Sequence, residues 1–192
     1  APNGAATAVT APTDLWFTFT KLPVIGNFRV GNQKEPIGFE HLMSSRFLPF
    51  IERSFNQDAF YGGFNNGLTP GLQMFDTYAE EHGTWAFGAF KPTTNVFATN
   101  LNASWALTGR LTYLPVYEDE GNSLLHLGVG ARTSGSEGGT RRYRTRYAER
   151  TGLSVQWPIV ADVGTLNIDT EQTIDTELVA VAGPVTFQAE YL

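Results

Sequence analysis

Cysteine is absent from the 192 residues of the chain. Its absence excludes disulfide bonds, thiolate metal sites and cysteine nucleophiles, although it does not by itself fix the compartment. Charged residues are also scarce, at 17% of the chain against the ~25% of an ordinary soluble domain. The 13 basic residues are outnumbered by 19 acidic ones, and the resulting net charge of −6 argues against a general nucleic-acid-binding surface.

The chain also lacks long apolar runs and recognisable enzyme motifs. No stretch approaches the ~20 consecutive apolar residues of a transmembrane helix, which excludes helical spans only. The three histidines, His41, His82 and His126, are scattered and match no metal-binding spacing. No Gly-x-Ser-x-Gly elbow is present, and the Gly128-Val-Gly stretch lies within a strand pattern rather than before a helix. We therefore expect neither an enzyme nor a metal or cofactor site.

What the chain does contain is a strong two-residue alternation. Aromatic residues make up 13% of the sequence and glycines number 20, which is typical of β-rich proteins with tight turns. From Asn102 to Leu114, apolar side chains occupy odd positions and polar ones even positions. The apolar set contains Trp105, Leu107, Leu111 and Tyr113, and the polar set contains Thr108, Arg110 and Thr112. The next segment repeats the pattern, with Leu125, Leu127, Val129 and Ala131 opposite His126, Gly128, Gly130 and Arg132.

Alternation and turn chemistry together predict an all-β, antiparallel, up-and-down arrangement of about eight or nine strands. The predicted strands are Leu15–Leu22, Phe28–Lys34, Leu72–Glu80, Thr84–Lys91, Asn102–Leu114, Leu125–Ala131, Leu153–Trp157, Thr173–Val181 and Val185–Leu192. Turns are predicted at Glu118–Asn122 and Ala182–Pro184. A short turn at Phe39–Ser45 is the only helical candidate.

Three segments do not fit the strand pattern. Residues 1–13 are rich in Ala, Thr and Pro, and we expect a linker or a disordered N-terminal segment there. The segment from about Glu35 to Leu68 is far longer than a hairpin loop, which makes it a candidate functional loop. A second segment, from Thr133 to about Arg150, is also predicted to be non-strand.

Several short motifs follow one another along the chain. They are Arg29-Val-Gly-Asn-Gln-Lys-Glu-Pro-Ile-Gly-Phe-Glu40, Ser44-Ser-Arg-Phe-Leu-Pro-Phe-Ile-Glu-Arg53, Gly83-Thr-Trp-Ala-Phe-Gly-Ala-Phe90, Thr108-Gly-Arg-Leu-Thr-Tyr-Leu-Pro115, Leu125-His-Leu-Gly-Val-Gly130 and Glu177-Leu-Val-Ala-Val-Ala-Gly-Pro184. Taken in this order, from about Asp14 to the last residue, the sequence resembles the phosphate-selective porin O and P family of bacterial outer-membrane porins.

The resemblance implies a transmembrane β-barrel in the outer membrane of a diderm bacterium, assembled as a homotrimer in membrane lipid. Barrels of this family have about sixteen strands, so residues 14–192 would form a partial barrel and we expect a longer polypeptide. The resemblance also implies that the loop at 35–68 folds inward as the constriction loop. The implied function is passive diffusion of small ions and nutrients, with a modest anion or phosphate preference at most.

Seven basic side chains are candidates for the pore and the anion path: Lys34, Arg46, Arg53, Arg110, Arg142, Arg144 and Arg146. Arg46 and Arg53 lie in the long loop and Lys34 at its entrance, among the acidic residues Glu35, Glu40, Glu52 and Asp58. Such charges would focus the field felt by an ion, or they would pair with each other and only hold the loop's shape. The sequence leaves both interpretations open.

Arg142, Arg144 and Arg146 alternate along the chain, so an extended backbone would place all three on one face. Three hypotheses fit this pattern. The arginines could form an anion-attracting rung near the pore, bind the phosphates of surface lipopolysaccharide, or belong to a solvated loop.

Two classes of function therefore remain. The first is an outer-membrane diffusion channel, and the second is a non-transport β-rich surface, scaffold or binding protein. Both are all-β and alternating, and what covers the apolar face distinguishes them. A sandwich buries that face against a second sheet, whereas a membrane barrel presents it to lipid.

Overall fold

The computed structural model describes residues 14–61, 67–92, 105–146 and 158–192. These residues form ten antiparallel strands: β1 (Leu15–Leu22), β2 (Gly26–Lys34), β3 (Leu68–Tyr78), β4 (Gly83–Phe90), β5 (Ala106–Glu118), β6 (Ser123–Gly135), β7 (Thr140–Arg146), β8 (Ile159–Asn167), β9 (Thr170–Ala182) and β10 (Val185–Tyr191). Eight of them build one sheet in the order β1-β2-β3-β4-β5-β6-β9-β10, while β7 and β8 pair only with each other. The predicted all-β, up-and-down architecture is confirmed.

The eight-stranded sheet buries its polar face and exposes its apolar face. Thr108 and Asp175 are completely buried, whereas Phe17 and Ile174 remain 73% and 67% exposed. Both sets follow from the two-residue alternation, because successive side chains of a strand point to opposite faces. We call the apolar side the outer face and the polar side the inner face. No element among the described residues covers the outer face, so this arrangement is the inverse of a soluble protein's.

The register aligns apolar side chains across neighbouring strands of the outer face. Leu111 on β5 stands opposite Trp85 on β4 and Val129 on β6. Val129 is in turn opposite Thr176 on β9. Pairs of aromatic and branched side chains at such positions stabilise a sheet. The outer face therefore carries an apolar row across β4, β5 and β6, which ends at Thr176 on β9.

The sheet is open over the part of the chain that the structure describes. There, β1 pairs with β2 and β10 pairs with β9, and no pairing joins β1 to β10. Predicted turns at Glu118–Asn122 and Ala182–Pro184 do connect adjacent strands. In the first turn, Asp119, Glu120 and Gly121 all have positive φ, and in the second Gly183 does.

Residues 35–61, which we call the inner loop, contain two short helices, α1 (Phe39–Leu42) and α2 (Phe55–Phe60). Helix α1 falls inside the predicted helical turn at Phe39–Ser45. Neither described helix is long and apolar enough to cross a membrane. The rest of the predicted loop includes residues 62–66, which lie outside the described residues, and β3 then begins at Leu68.

The prediction that Thr133 to about Arg150 is non-strand was wrong for most of its described part. Strand β6 continues to Gly135, and β7 occupies Thr140–Arg146. The partner of β7 is β8, so the two form a ribbon. The composition of β7 gave no sign of a strand, because β7 has no alternating apolar face. The charged pairs that β7 forms with β8 cannot be recognised from the local sequence. The structure thus has ten described strands instead of eight or nine.

The ribbon formed by β7 and β8 continues the β6–β9 hairpin beyond the main sheet. Two backbone hydrogen bonds carry the ladder across the interruption, Ser136 N to Asp169 O at 3.0 Å and Ile168 N to Gly139 O at 3.0 Å. Gly138 and Gly139 both have φ of +67°, a left-handed conformation that favours glycine. The ribbon therefore joins the sheet through a glycine corner.

Some predicted segments cannot be compared with the structure. The expected linker at 1–13, the strand at Leu153–Trp157 and the first residues of the strand at Asn102–Leu114 lie outside the described residues.

The exposed outer face leads to a first prediction. Leu111→Arg should lower the free energy of unfolding in lipid vesicles by up to about 2–4 kcal/mol, since arginine on the lipid side of a barrel strand is costly near the bilayer midplane. Leu111→Met is the matched control and should behave like the wild type. If the Arg variant is as stable as the Met variant, the outer face contacts water rather than lipid.

Candidate functional site

The inner loop lies across the inner face of the sheet, and its first attachment is a charged one. Glu35, directly after β2, accepts a hydrogen bond from Arg132 Nε of β6 at 2.7 Å. Its Oε2 also accepts one from Thr108 Oγ1 of β5 at 2.7 Å. The side chains of Arg132 and Glu35 are only 8% and 7% exposed. Because both charges are removed from water, each depends on the other.

Two backbone N–H groups of the inner loop make the next attachments. Gly38 N donates to Asp175 Oδ2 of β9 at 3.0 Å. Glu40 N donates to Glu190 Oε2 of β10 at 2.9 Å. Carboxylates that accept backbone N–H groups form strong, charge-assisted hydrogen bonds. The loop thus contacts β5, β6, β9 and β10 in succession.

A glycine of the sheet makes room for this part of the loop. Ile37 is completely buried between the loop and β6. A Cβ added at Gly130 would lie 3.1 Å from Ile37 Cγ1, closer than ordinary van der Waals contact. Next to Ile37, the Phe39 ring packs 5.2 Å from the His126 ring. The strand glycines of β6 therefore allow the loop to approach the sheet closely.

Other charges of the inner face are also paired. Arg110 of β5 donates to Glu177 of β9 through Nε at 2.7 Å and Nη2 at 2.6 Å, a two-bond fork. His126 Nε2 lies 3.0 Å from the same carboxylate. Near the ribbon, Glu171 lies 3.3 Å from Arg132 and 3.4 Å from Arg141. The wall thus alternates positive and negative groups over short distances.

Two predicted pore residues bind peptide oxygens of the inner loop. Lys34 Nζ donates to the carbonyl oxygen of His41. Arg53 donates to the carbonyl oxygens of Glu40 at 2.9 Å and Met43 at 2.7 Å. The last carbonyls of a helix have no partner within the helix, and cationic side chains often satisfy them. Both cations therefore hold the end of α1 in place.

Contacts within the inner loop bring its two helices together. Glu40 Oε2 accepts a hydrogen bond from Ser54 N at 2.8 Å. The His41 and Tyr61 rings stack at 4.3 Å, and His41 Nδ1 lies 3.0 Å from Gln57 Oε1. Burial, and then the neighbouring carboxylates, raise the pKa of Tyr61 well above its ordinary value. Tyr61 therefore remains a neutral hydroxyl beside the acidic side of the sheet.

The three alternating arginines of β7 have three different environments. Arg142 is exposed and forms a fork with Asp162 of β8, with Nε to Oδ1 at 2.9 Å and Nη2 to Oδ2 at 2.5 Å. These bonds and the N–H of Gly164 lower the pKa of Asp162 to about 2. Arg144 is half-buried and opposite Asp162 in the register. Arg146 is buried and bonds to Asp58 of α2.

The three arginines differ in their partners because the strand opposite them is irregular. The β7–β8 register shifts between Arg142 and Arg144 and again between Thr145 and Arg146. At each shift β8 contributes one residue more than β7, so the extra residues lie on β8 and β7 itself stays regular. Arg142 and Arg144 remain close through Asp162, but Arg146 turns to the inner loop.

The seven predicted residues do not form one site. Arg46 is exposed on the inner loop, where its backbone N donates to Ser44 Oγ at 3.4 Å. The other six lie beside the carbonyl or carboxylate oxygens described above. Sequence reasoning missed the acidic partners on the sheet, Asp175, Glu177 and Glu190. The alternation of β9, with Thr173, Asp175 and Glu177 at every second position, was the signal that could have placed two of them on the inner face.

The geometry of the inner face suits the wall of a passage more than a catalytic site. In the described residues, no group of three or more His, Asp or Glu side chains is arranged to hold a metal ion. The inner face instead has charged pairs in register with each other, overlain by a loop that is bonded to four strands. Such a surface can line a passage for small polar solutes.

Comparison with known proteins agrees with this geometry. Neither the curated proteins nor the solved structures include a match to the chain. A family model does match, the one described as phosphate-selective porin O and P, and it covers residues 3–192. That match spans nearly the whole chain and includes every strand described above. The chain therefore belongs to the phosphate-selective porin O and P family, a family of channels.

Proposed function

We propose that the chain forms part of the wall of an outer-membrane porin through which small ions and nutrients diffuse passively. The observation that carries the proposal is the inverted sheet. Its polar inner face is buried and its apolar outer face is exposed, with Phe17 and Phe187 at 73% and 56% exposure. Lipid is the solvent that suits such an outer face.

A non-transport β-sandwich, the alternative from sequence, needs a second sheet over the apolar face. The ribbon of β7 and β8 cannot supply it, because its contacts are with α2 on the side of the inner loop. The inner loop likewise lies on the polar face. This placement favours the porin over a soluble scaffold.

The inner loop is proposed to be the constriction element of the channel. Its support is the set of four attachments that hold residues 35–40 on the polar face. By family membership we also propose a homotrimer in the outer membrane of a diderm bacterium, surrounded by lipid and lipopolysaccharide. Lys34, Arg46, Arg53, Arg110, Arg144 and Arg146 remain proposed pore or anion-path residues, whereas Arg142, exposed on the ribbon and paired with Asp162, is now proposed to lie outside the path.

Selectivity is proposed to be weak, with a modest anion or phosphate preference at most. Arg110 and Arg132 of the inner face, and Arg141 of the ribbon, each lie within 3.4 Å of a glutamate, while Arg29 of the inner face stacks on the rings of Trp16 and Phe75. Charges that are compensated at this range produce little long-range field. A small net preference could then arise from cations with weaker compensation, such as exposed Arg46.

Membrane residence is the second prediction. The protein should partition into detergent micelles and show a circular dichroism spectrum with strong β and little helical signal, because its outer face needs an apolar solvent. A monodisperse, detergent-free monomer in plain buffer would contradict the porin and favour the scaffold.

The third prediction concerns ion selectivity. Arg110→Gln should shift the reversal potential across a KCl gradient toward the value expected for a more cation-selective channel. The reason is that the carboxylate of Glu177 loses its guanidinium partner on the inner face. Planar-bilayer recording measures the shift.

Arg142→Gln provides the matched control, because Arg142 has the same fork geometry with Asp162 but lies on the ribbon. Its reversal potential should stay closer to the wild-type value. A larger shift for Arg142→Gln than for Arg110→Gln would place the ribbon, and not the wall at β5, in the ion path.

A further inference from the structure

The inner loop is fixed at its two ends by different parts of the molecule. Residues 35–40 bond to the main sheet, as described above. Helix α2 instead contacts the ribbon, chiefly through Asp58. Between these regions, Phe47, Phe50 and Ile51 are exposed. The second half of the loop is therefore held by two sets of contacts, those of Ser54, Gln57 and Tyr61 with α1 and those of α2 with the ribbon.

The contact between α2 and the ribbon is a buried, three-bond ion pair. Asp58 Oδ2 accepts from Arg146 N at 2.8 Å and from Arg146 Nε at 2.9 Å, and Oδ1 accepts from Nη2 at 2.8 Å. The two side chains are 5% and 3% exposed. A guanidinium fork fixes direction as well as distance, which a point charge does not.

Two further contacts extend this attachment. Thr145 Oγ1 donates to the carbonyl oxygen of Phe55 at 3.2 Å. The rings of Phe60 and Tyr143 lie 5.6 Å apart. Both ends of α2 therefore touch β7, and a displacement of the ribbon would carry the helix with it.

We propose that Asp58 and Arg146 are positioning residues that tie the second half of the inner loop to the ribbon and so set how far the loop extends into the channel. The proposal rests on the proposed function, since it concerns the width of that channel. Separation of the pair would leave a desolvated charge on each side, so the ribbon and α2 move as one body. The glycine corner at Gly138 and Gly139 is where such a body would bend.

The first test measures the position of the loop without reference to conduction. Since the chain has no cysteine, Phe50→Cys gives a single site for a spin label on the exposed part of the loop. Arg146→Gln and Asp58→Asn should each increase the mobility of the label several-fold in the membrane-embedded protein. Arg146→Lys, which keeps the charge but not the fork, should have an intermediate effect.

Arg142→Gln is the matched control, because Arg142 lies on the same strand, has the same fork geometry and pairs with exposed Asp162 rather than with the loop. Its label should be as immobile as in the wild type. If Arg146→Gln and Arg142→Gln give the same label mobility, Asp58 and Arg146 have no positioning role and the inference is overturned.

The second test measures the consequence in single-channel recordings of the complete protein. Arg146→Gln should produce several-fold more brief closures than the wild type or Arg142→Gln. In Asp58→Cys with Arg146→Cys, a short bifunctional methanethiosulfonate, which forms a disulfide with each thiol and releases sulfinate, should lower the number of brief closures to the wild-type level. A thiol reductant that cleaves both disulfides should raise it again. Because bridged and reduced states are compared in one folded protein, a folding defect cannot imitate this result.

The two tests separate the two proposals. A wild type that conducts no current would overturn the proposed function, while the spin-label result would still decide the role of the pair. A conducting protein whose closures are the same when bridged and reduced would overturn the positioning role alone.

Discussion

The carboxylate of Glu35 receives hydrogen bonds from Arg132 and Thr108 in a place that water hardly reaches. The exclusion of water from these charges is the constraint that determines the other contacts of the inner face. Once the inner loop covers the sheet, each buried charge must have a partner, since removal of one member of a buried pair costs about 3–5 kcal/mol. Arg110 with Glu177, and Arg146 with Asp58, follow the same rule. Loop and sheet therefore stabilise each other.

Sequence was a good guide to the main sheet because a strand's two faces are a local property. The alternation at Leu107, Leu111 and Val129 depends only on neighbouring residues, and these side chains do lie on the outer face. The same reasoning failed for β7, where arginine, threonine and tyrosine alternate without an apolar side. There the strand exists because β8 supplies hydrogen bonds and Asp162, and a partner that lies elsewhere in the chain leaves no local trace.

The candidate site was less predictable for the same reason. The acidic side chains of the long loop were recognised, but their partners could not be read from spacing, because Glu35 and Arg132 are 97 positions apart. Even the near regularity of Arg142, Arg144 and Arg146 was misleading. Their three environments come from Asp162 on β8, from the extra residues of β8 and from Asp58 on α2, and none of these partners can be recognised from the sequence of β7.

The fit between Ile37 and Gly130 has a wider consequence. Ile37 stands between the attachment at Glu35 and the one at Gly38, and it touches the sheet where β6 has no side chain. Its distance from the strand is thus the height of the loop above the wall. A methyl group at position 130 would lie 3.1 Å from Ile37 Cγ1, so the Ile37 side chain would have to move by a few tenths of an ångström. The contact between the Ile37 side chain and Gly130 therefore acts as a spacer that sets the distance between the inner loop and the sheet.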